Sequence, residues 1–238
     1  MTRRSRASAV LLILIVACVG EAHAHRDDYL NETLVYLTLE RRELEAEYWL
    51  DYGQPSSGPG DFFRHNVALE WGITDHWMVD GRGTLISNEG QATKLDSARV
   101  ETRYRFLEEG ARPIDVAFSF EVNGERDPDG STELGVEPRL VLSRDFHEKL
   151  NLTLNLSEEI PLDSGSSAFL AAFGARFNWT ERVRVGSELQ YDFGMHSGAV
   201  IPQVWLAYPK GITVKLGYAR GVDRAESDFV RAALEVEF

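Results

Sequence analysis

The feature that most constrains this chain is a two-residue period sustained over nearly its whole length. Across residues 44–52 the apolar set is Leu44, Ala46, Tyr48, Leu50 and Tyr52, with Glu45, Glu47 and Asp51 between. Leu150, Leu152, Leu154 and Leu156 alternate with Asn151, Thr153, Asn155 and Ser157, and Val230, Ala232, Leu234, Val236 and Phe238 with Arg231, Glu235 and Glu237. Successive side chains of a β-strand point to opposite faces, so each such segment has one greasy and one polar face. No 3.6-residue period runs over a useful length, which leaves an all-β chain. Turn signals divide the alternation into segments at approximately 44–53, 62–72, 77–86, 94–106, 114–123, 132–144, 150–160, 168–179, 183–193, 199–208, 212–222 and 228–238.

Alternation of this kind suits a soluble antiparallel sandwich or a transmembrane antiparallel barrel. Strands of about ten residues are long for a soluble sheet, whose strands average about five or six. The polar face carries charge nearly everywhere, as in Arg99, Glu101, Arg103 and Arg105 opposite Val100, Tyr104 and Phe106. Connections at 73–76, 145–149, 180–182 and 209–211 are short, whereas those at 54–61, 87–93, 123–131, 161–167, 194–198 and 223–227 are longer. Short periplasmic turns alternating with longer outer loops belong to membrane barrels. Aromatics gather at strand ends: Trp71, Trp77, Phe106, Phe146, Trp179 and Tyr208 beside short turns, Tyr52, Phe62, Tyr191 and Phe193 beside long ones. Such rows match the girdles at the two headgroup levels of a bilayer. The expected fold is an up-and-down barrel of about 12 strands with both ends on the periplasmic side. Pro138 and Pro202 each remove a ladder donor, so bulges or weakened pairing are expected there.

A mean hydropathy of -0.26 excludes a bundle of membrane-spanning helices but not a barrel, whose strands are apolar on one face only. A single cysteine excludes a disulfide framework and a Cys-based zinc cluster. The net charge of -13 argues against a nucleic-acid partner, which needs a basic face. Arg3, Arg4 and Arg6 precede an uncharged run over 9–19 and the small-x-small sequence Ala22-His23-Ala24. Basic head, short apolar core and cleavage site read as an export signal over 1–24. The alternative of a lipidated Cys18 rests on Ile15-Val16-Ala17-Cys18. Residues 25–43 then form an amino-terminal segment ahead of a barrel over 44–238. Within it Leu34, Tyr36 and Thr38 alternate with Val35, Leu37 and Leu39, so both faces are apolar in part. That suits burial against protein, at the periplasmic mouth or inside the barrel.

Twelve strands about 4.7 Å apart and tilted about 40° enclose a backbone radius of roughly 12 Å, and side chains narrow the lumen further. Its candidate lining is Glu47, Arg64, Asp80, Arg82, Arg99, Glu101, Arg103, Arg105, Glu121, Glu137, Arg139, Arg176, Arg184, Glu188, Asp192 and Lys215. Two readings of these charges stand open: polar packing that fills the barrel, or a path for ions or small polar solutes. Nucleophile, metalloprotease and phosphate-loop motifs are absent, so no cofactor, metal or catalytic residue is expected. His196-Ser197, in an outer loop after Asp192, is the one pair compatible with a lipid-modifying barrel hydrolase.

The export signal, together with a closing alternating strand that ends in Phe238, resembles bacterial outer-membrane β-barrel proteins. The resemblance implies residence in the outer membrane of a Gram-negative bacterium, with outer-membrane lipid and lipopolysaccharide as surroundings. It implies also that Phe238 serves as the signal read by the barrel-assembly machinery. A porin-like narrow channel is the leading expectation, with a structural barrel and a barrel hydrolase as alternatives.

Overall fold

The structure, a computed structural model, describes residues 28–30, 33–55, 60–126, 130–147, 149–163, 165–222 and 227–238. The expected export signal, with Cys18, lies outside the described residues. Twelve strands follow one another: β1 (Leu44–Gln54), β2 (Phe62–Thr74), β3 (Trp77–Asn88), β4 (Lys94–Arg105), β5 (Asp115–Arg126) and β6 (Thr132–Phe146), then β7 (Leu150–Pro161), β8 (Ala168–Asn178), β9 (Val183–Asp192), β10 (Ser197–Tyr208), β11 (Ile212–Gly221) and β12 (Asp228–Glu237). Each pairs antiparallel with its neighbours in sequence, and β12 returns to β1, giving a closed up-and-down barrel. No bound read from the alternation lies more than three residues from the observed one.

The strand phase is the one the alternation requires. In β1, Glu45, Glu47, Trp49 and Asp51 are buried inside, while Tyr48 and Tyr52 are exposed outside. The outer surface is a continuous apolar band that includes Val67, Leu69, Val100, Phe118, Leu140, Phe173, Leu216 and Val230. At the short-turn end Trp71, Trp77, Tyr104, Phe106 and Trp179 are exposed; at the other end Tyr52, Phe63, Phe169 and Phe193 are. Phe62 departs from the expected girdle. It turns inward and is buried, and its neighbour Phe63 takes the outward place. Two adjacent phenylalanines at a strand start leave the phase undecided until the pairing with β1 sets it.

Pro138 and Pro202 weaken pairing without a bulge. Pro138 is paired with Phe120 of β5, yet pairing with β7 lapses between Val136 and Arg139 and resumes in the same register. Pro202 pairs with Ser187 of β9, and pairing with β11 lapses between Val200 and Gln203. Each proline interrupts the ladder on one side only, as the loss of a single N–H dictates. The register shifts fall elsewhere, between Gly72 and Thr74 and between Thr84 and Leu85. The connection 106–114 is longer than the other turns at its end of the barrel.

Leu154 lies mid-strand on the outward face, opposite Leu142 and Phe173. Leu154→Arg is expected to lower the stability of the refolded barrel by about 2–4 kcal/mol in a urea titration. Glu125→Gln, at an exposed inward position near the long-loop mouth, should stay within about 0.5 kcal/mol of the parent. Equal losses would show that the two faces are assigned the wrong way round.

Candidate functional site: the barrel interior and its amino-terminal plug

All of the candidate lining residues occupy the inward phase. Glu47, Asp80, Glu101, Arg103, Glu121, Arg139, Arg176, Glu188 and Lys215 are buried; Arg64, Arg82, Arg99, Arg105, Glu137, Arg184 and Asp192 are partly buried. The interior divides them into two groups. Towards the short-turn end, Glu47, Asp80, Glu101, Arg103, Arg105, Arg176, Arg184, Glu188 and Lys215 surround or lie beneath the amino-terminal segment. Towards the long-loop end, Arg64, Arg82, Arg99, Glu121, Glu137, Arg139 and Asp192 line an open vestibule.

The amino-terminal segment makes the division. Residues 33–39 form no strand; they run up the inside of the barrel, with Leu39 beside Gly72 at the short-turn end and Leu34 beside Asn155 in the middle of β7. A tight reversal, with Tyr29 N donating to Thr33 O at 3.1 Å, brings residues 30–28 back down. Tyr29, Leu30, Leu34, Val35, Tyr36 and Leu39 are all buried. A backbone inside a barrel has no ladder to join, and its buried polar groups must be satisfied by something else. Here barrel side chains supply the partners. Leu30 N donates to Gln203 Oε1 at 2.7 Å, and Arg231 Nη1 donates to Leu30 O at 2.8 Å. Thr33 N donates to Glu188 at 3.2 Å. Asn155 clasps Leu34 from both sides, accepting from its N at 2.8 Å and donating to its O at 2.9 Å.

One clasp is ionic. Both terminal nitrogens of Arg103 donate to the Asp28 carboxylate, at 3.2 and 3.0 Å, and Arg103 Nη1 also reaches Val35 O and Leu37 O. Lys215 Nζ donates to Asp28 O at 2.8 Å. Apolar contacts complete the fit. The Tyr29 ring meets Trp205 edge-on with centroids 5.7 Å apart, Leu34 and Tyr36 pack on Ala117 and Val141, and Leu30 packs on Trp49 and Ala233. Two inward glycines make the room: a Cβ at Gly174 would run into the Tyr29 ring, and one at Gly217 into Leu30 Cδ2.

Other interior charges pair within a strand or across the wall. Arg231 grips Asp51 with two hydrogen bonds, 2.6 and 2.7 Å long, between β12 and β1. Arg82 lies 3.3 Å from Asp80 and 3.7 Å from Glu47, and Arg99 lies 3.3 Å from Glu121. On the same seam Glu45 faces Glu237 and Glu47 faces Glu235, like charges whose repulsion costs stability. Carboxylate oxygens of Glu45, Glu47 and Glu235 lie within 4.8 Å of one another, a spacing that could hold a metal. Lys215 forms an ion pair with Glu235 at that point, so the chain supplies its own cation.

Above the plug, two communicating cavities of about 340 and 300 Å³ share Arg99, Glu121, Asn123 and Glu125 in their walls. Their composition is polarised. Arg231 on β12, Arg64 on β2, Arg82 on β3 and Arg99 on β4 form one arc, with Glu125 on β5, Glu137 on β6, Glu159 on β7 and Asp192 on β9 facing them.

Sequence reasoning did not single out Asn155, Gln203, Trp49 or Trp205. Trp49 and Trp205 are apolar residues in the polar phase, and the period alone marks them: Trp49 stands between Glu47 and Asp51. Nothing local marks Asn155 or Gln203, whose partners lie 121 and 173 residues away. Ser197 is buried at the start of β10 opposite Asp192, while His196 stays on the exposed turn with φ 55°, so the two diverge.

No known protein family matches the chain, and no curated protein matches it in sequence. Solved structures do match. The KdgM porin superposes with a TM-score of 0.60 at 9% identity, covering 82% of this chain and 99% of that one. A second structure of that porin is a complex with disordered oligogalacturonate. The NanC porin gives 0.60 at 11% identity over 80% of this chain and 98% of its own. The outer-membrane protein Omp33 of Acinetobacter baumannii gives 0.50 at 8% identity over 83% and 98%. At such identities the likeness is one of fold: the chain is an outer-membrane-type β-barrel, similar in architecture to small bacterial porins.

Proposed function

We propose that the protein is a channel of the bacterial outer membrane for ions or small polar solutes, held closed on its periplasmic side by its own amino-terminal segment. The observation that carries this reading is the burial of residues 28–30 and 33–39 within an interior rich in charged and polar side chains. Polar packing alone would need no vestibule, yet the long-loop half is open while the short-turn half is filled. Export on the 1–24 signal, insertion by the barrel-assembly machinery through Phe238, and surroundings of outer-membrane lipid and lipopolysaccharide belong to the same reading. A polyanion such as oligogalacturonate suits this barrel poorly, because Glu125, Glu137, Glu159 and Asp192 line its mouth. The separation of His196 from Ser197 weighs against a hydrolase.

Refolded wild-type protein in planar bilayers is expected to show small or rare conductance steps. Deleting residues 25–40 should leave a folded, heat-modifiable barrel with discrete steps several-fold larger. Gly174→Leu, which drives a side chain into the space of the Tyr29 ring, should move conductance the same way. A folded deletion barrel that never conducts would establish the structural alternative.

Arg103→Gln separates the plug from the wall. The substitution removes the Asp28 ion pair and the bonds to Val35 O and Leu37 O, together with the ion pair to Glu101 in the wall. Stripping one partner from a buried ion pair typically costs about 3–5 kcal/mol, and here the loss falls first on the segment. Proteolysis of the refolded variant should therefore cut within residues 28–39 sooner than in wild type, with the strands intact. Equal protection of the segment in both proteins would remove Arg103 as its clasp.

A further inference from the structure

The vestibule has a shape and a charge arrangement that the channel reading does not by itself require. Its cavities of about 340 and 300 Å³ fall within the usual range for small-molecule sites, about 300–1,000 Å³. Four arginines stand on the contiguous arc β12-β1-β2-β3-β4, and five carboxylates, Glu121 among them, on the arc β5-β6-β7-β8-β9. Two residues break the pattern: Asp96 on β4, in the basic arc, and Arg139 on β6, which donates to Glu137 at 2.6 Å. Within the basic arc Arg231 also grips Asp51, and Arg99 lies beside Glu121 of β5. Arg64 is only loosely engaged, 3.9 Å from Asp51 with a third of its side chain exposed. On the facing arc, Glu125, Glu137, Glu159 and Asp192 line one cavity wall together. Asp192 also accepts from the backbone of Gly194 and Met195, at 2.7 and 2.9 Å, which keeps its carboxylate at the rim.

Opposed charged walls set up a field across the lumen. A solute with one charge is drawn to one wall and repelled by the other. A solute with an ammonium at one end and a carboxylate at the other satisfies both. We propose that the vestibule is a recognition site for small zwitterions of the amino-acid or short-peptide class, with the carboxylate on the Arg64–Arg231 side and the ammonium on the Glu137–Glu159 side.

The floor of this site is shared with the plug. Asn155 and Arg231 both border the cavities, and the same two residues hold Leu34 and Leu30. A solute carboxylate that draws on Arg231 competes with Leu30 O for the same nitrogen. Occupancy thus loosens the apex of the plug. The proposal rests on the interior already described; the zwitterion site itself requires no conduction, whereas the consequence for passage rests on the channel reading.

The test uses the full mature chain refolded in detergent, with alanyl-alanine as probe and its two singly charged relatives, N-acetyl-alanyl-alanine and alanyl-alanine amide. Calorimetry should show saturable binding of the dipeptide and roughly tenfold weaker binding of each blocked form. Glu159→Gln and Arg64→Gln should each weaken the dipeptide several-fold. Hydrogen exchange at the Leu30 and Leu34 amides should quicken at saturation. No binding of the dipeptide, or equal binding of the amide, would overturn the zwitterion site; binding without faster exchange would overturn its link to the plug. A barrel that binds the dipeptide yet stays silent in bilayers after deletion of residues 25–40 keeps the site and loses the channel. One that conducts without binding does the reverse.

Discussion

A sheet that crosses a bilayer can leave no edge unpaired, because hydrocarbon offers nothing to an orphaned N–H or C=O. In this chain that requirement is met by the antiparallel pairing of β12 with β1, from Glu45 opposite Glu237 to Gln54 opposite Asp228. Everything inside follows from that closure. Once the ladder is circular, one phase of every strand faces lipid and the other faces a confined interior, and a slip of one residue anywhere would exchange the two. The seam also concentrates the electrostatic cost of closure. Glu45, Glu47, Glu235 and Glu237 meet across it, while Lys215 and Arg231 bring the compensating charge from β11 and β12.

Closure leaves a volume that the strands do not fill by themselves. Inward Ala68, Ala117, Ala199, Ala219 and Ala233, together with Gly174 and Gly217, are too small to meet across the lumen. Residues 28–30 and 33–39 occupy the short-turn half instead, bringing Tyr29 onto Gly174, Leu30 onto Gly217 and Ala233, and Leu34 and Tyr36 onto Ala117. The segment belongs to no ladder, so its hold on the barrel consists of discrete side-chain clasps at Arg103, Asn155, Gln203, Glu188 and Arg231. A part held in this way is separable from the wall that holds it. The proposed gate requires that property, and the segment forms a closed base beneath a polar vestibule.

The legibility of this architecture varied with the range of the interactions involved. The twelve strands and their lipid face were readable because a period of two is a local property: Leu150 to Ser157 shows both faces within one segment. Phe62 was misplaced because Phe62-Phe63 interrupts the period at a strand start, where only pairing with β1 chooses the phase. The effect of Pro138 and Pro202 was readable as a lost donor, but not which neighbour would lose it. Most charged residues of the vestibule, Arg64, Arg82, Arg99, Glu121, Glu137, Arg139 and Asp192, were readable as inward; Glu125, which the alternation left in an outer connection, and Glu159 were not singled out. The segregation into a basic and an acidic arc was not readable, since it appears only when β12 is brought beside β1 and the arcs close on each other.

What the sequence determined by itself was therefore the alternation, the number of strands it implies, the inward phase of Glu47, Arg103 or Lys215, and the suitability of Leu34–Leu39 for burial on both faces. Those follow from nearest-neighbour geometry along a strand. Only the tertiary structure decided that Arg103 meets Asp28, that Asn155 clasps Leu34, and that the Tyr29 ring lies on Gly174. These contacts join an aperiodic segment to strands more than 70 residues away. No repeating pattern encodes such a meeting, because the path of residues 28–39 is set by the shape and hydrogen-bonding demand of an interior that exists only after the barrel has closed.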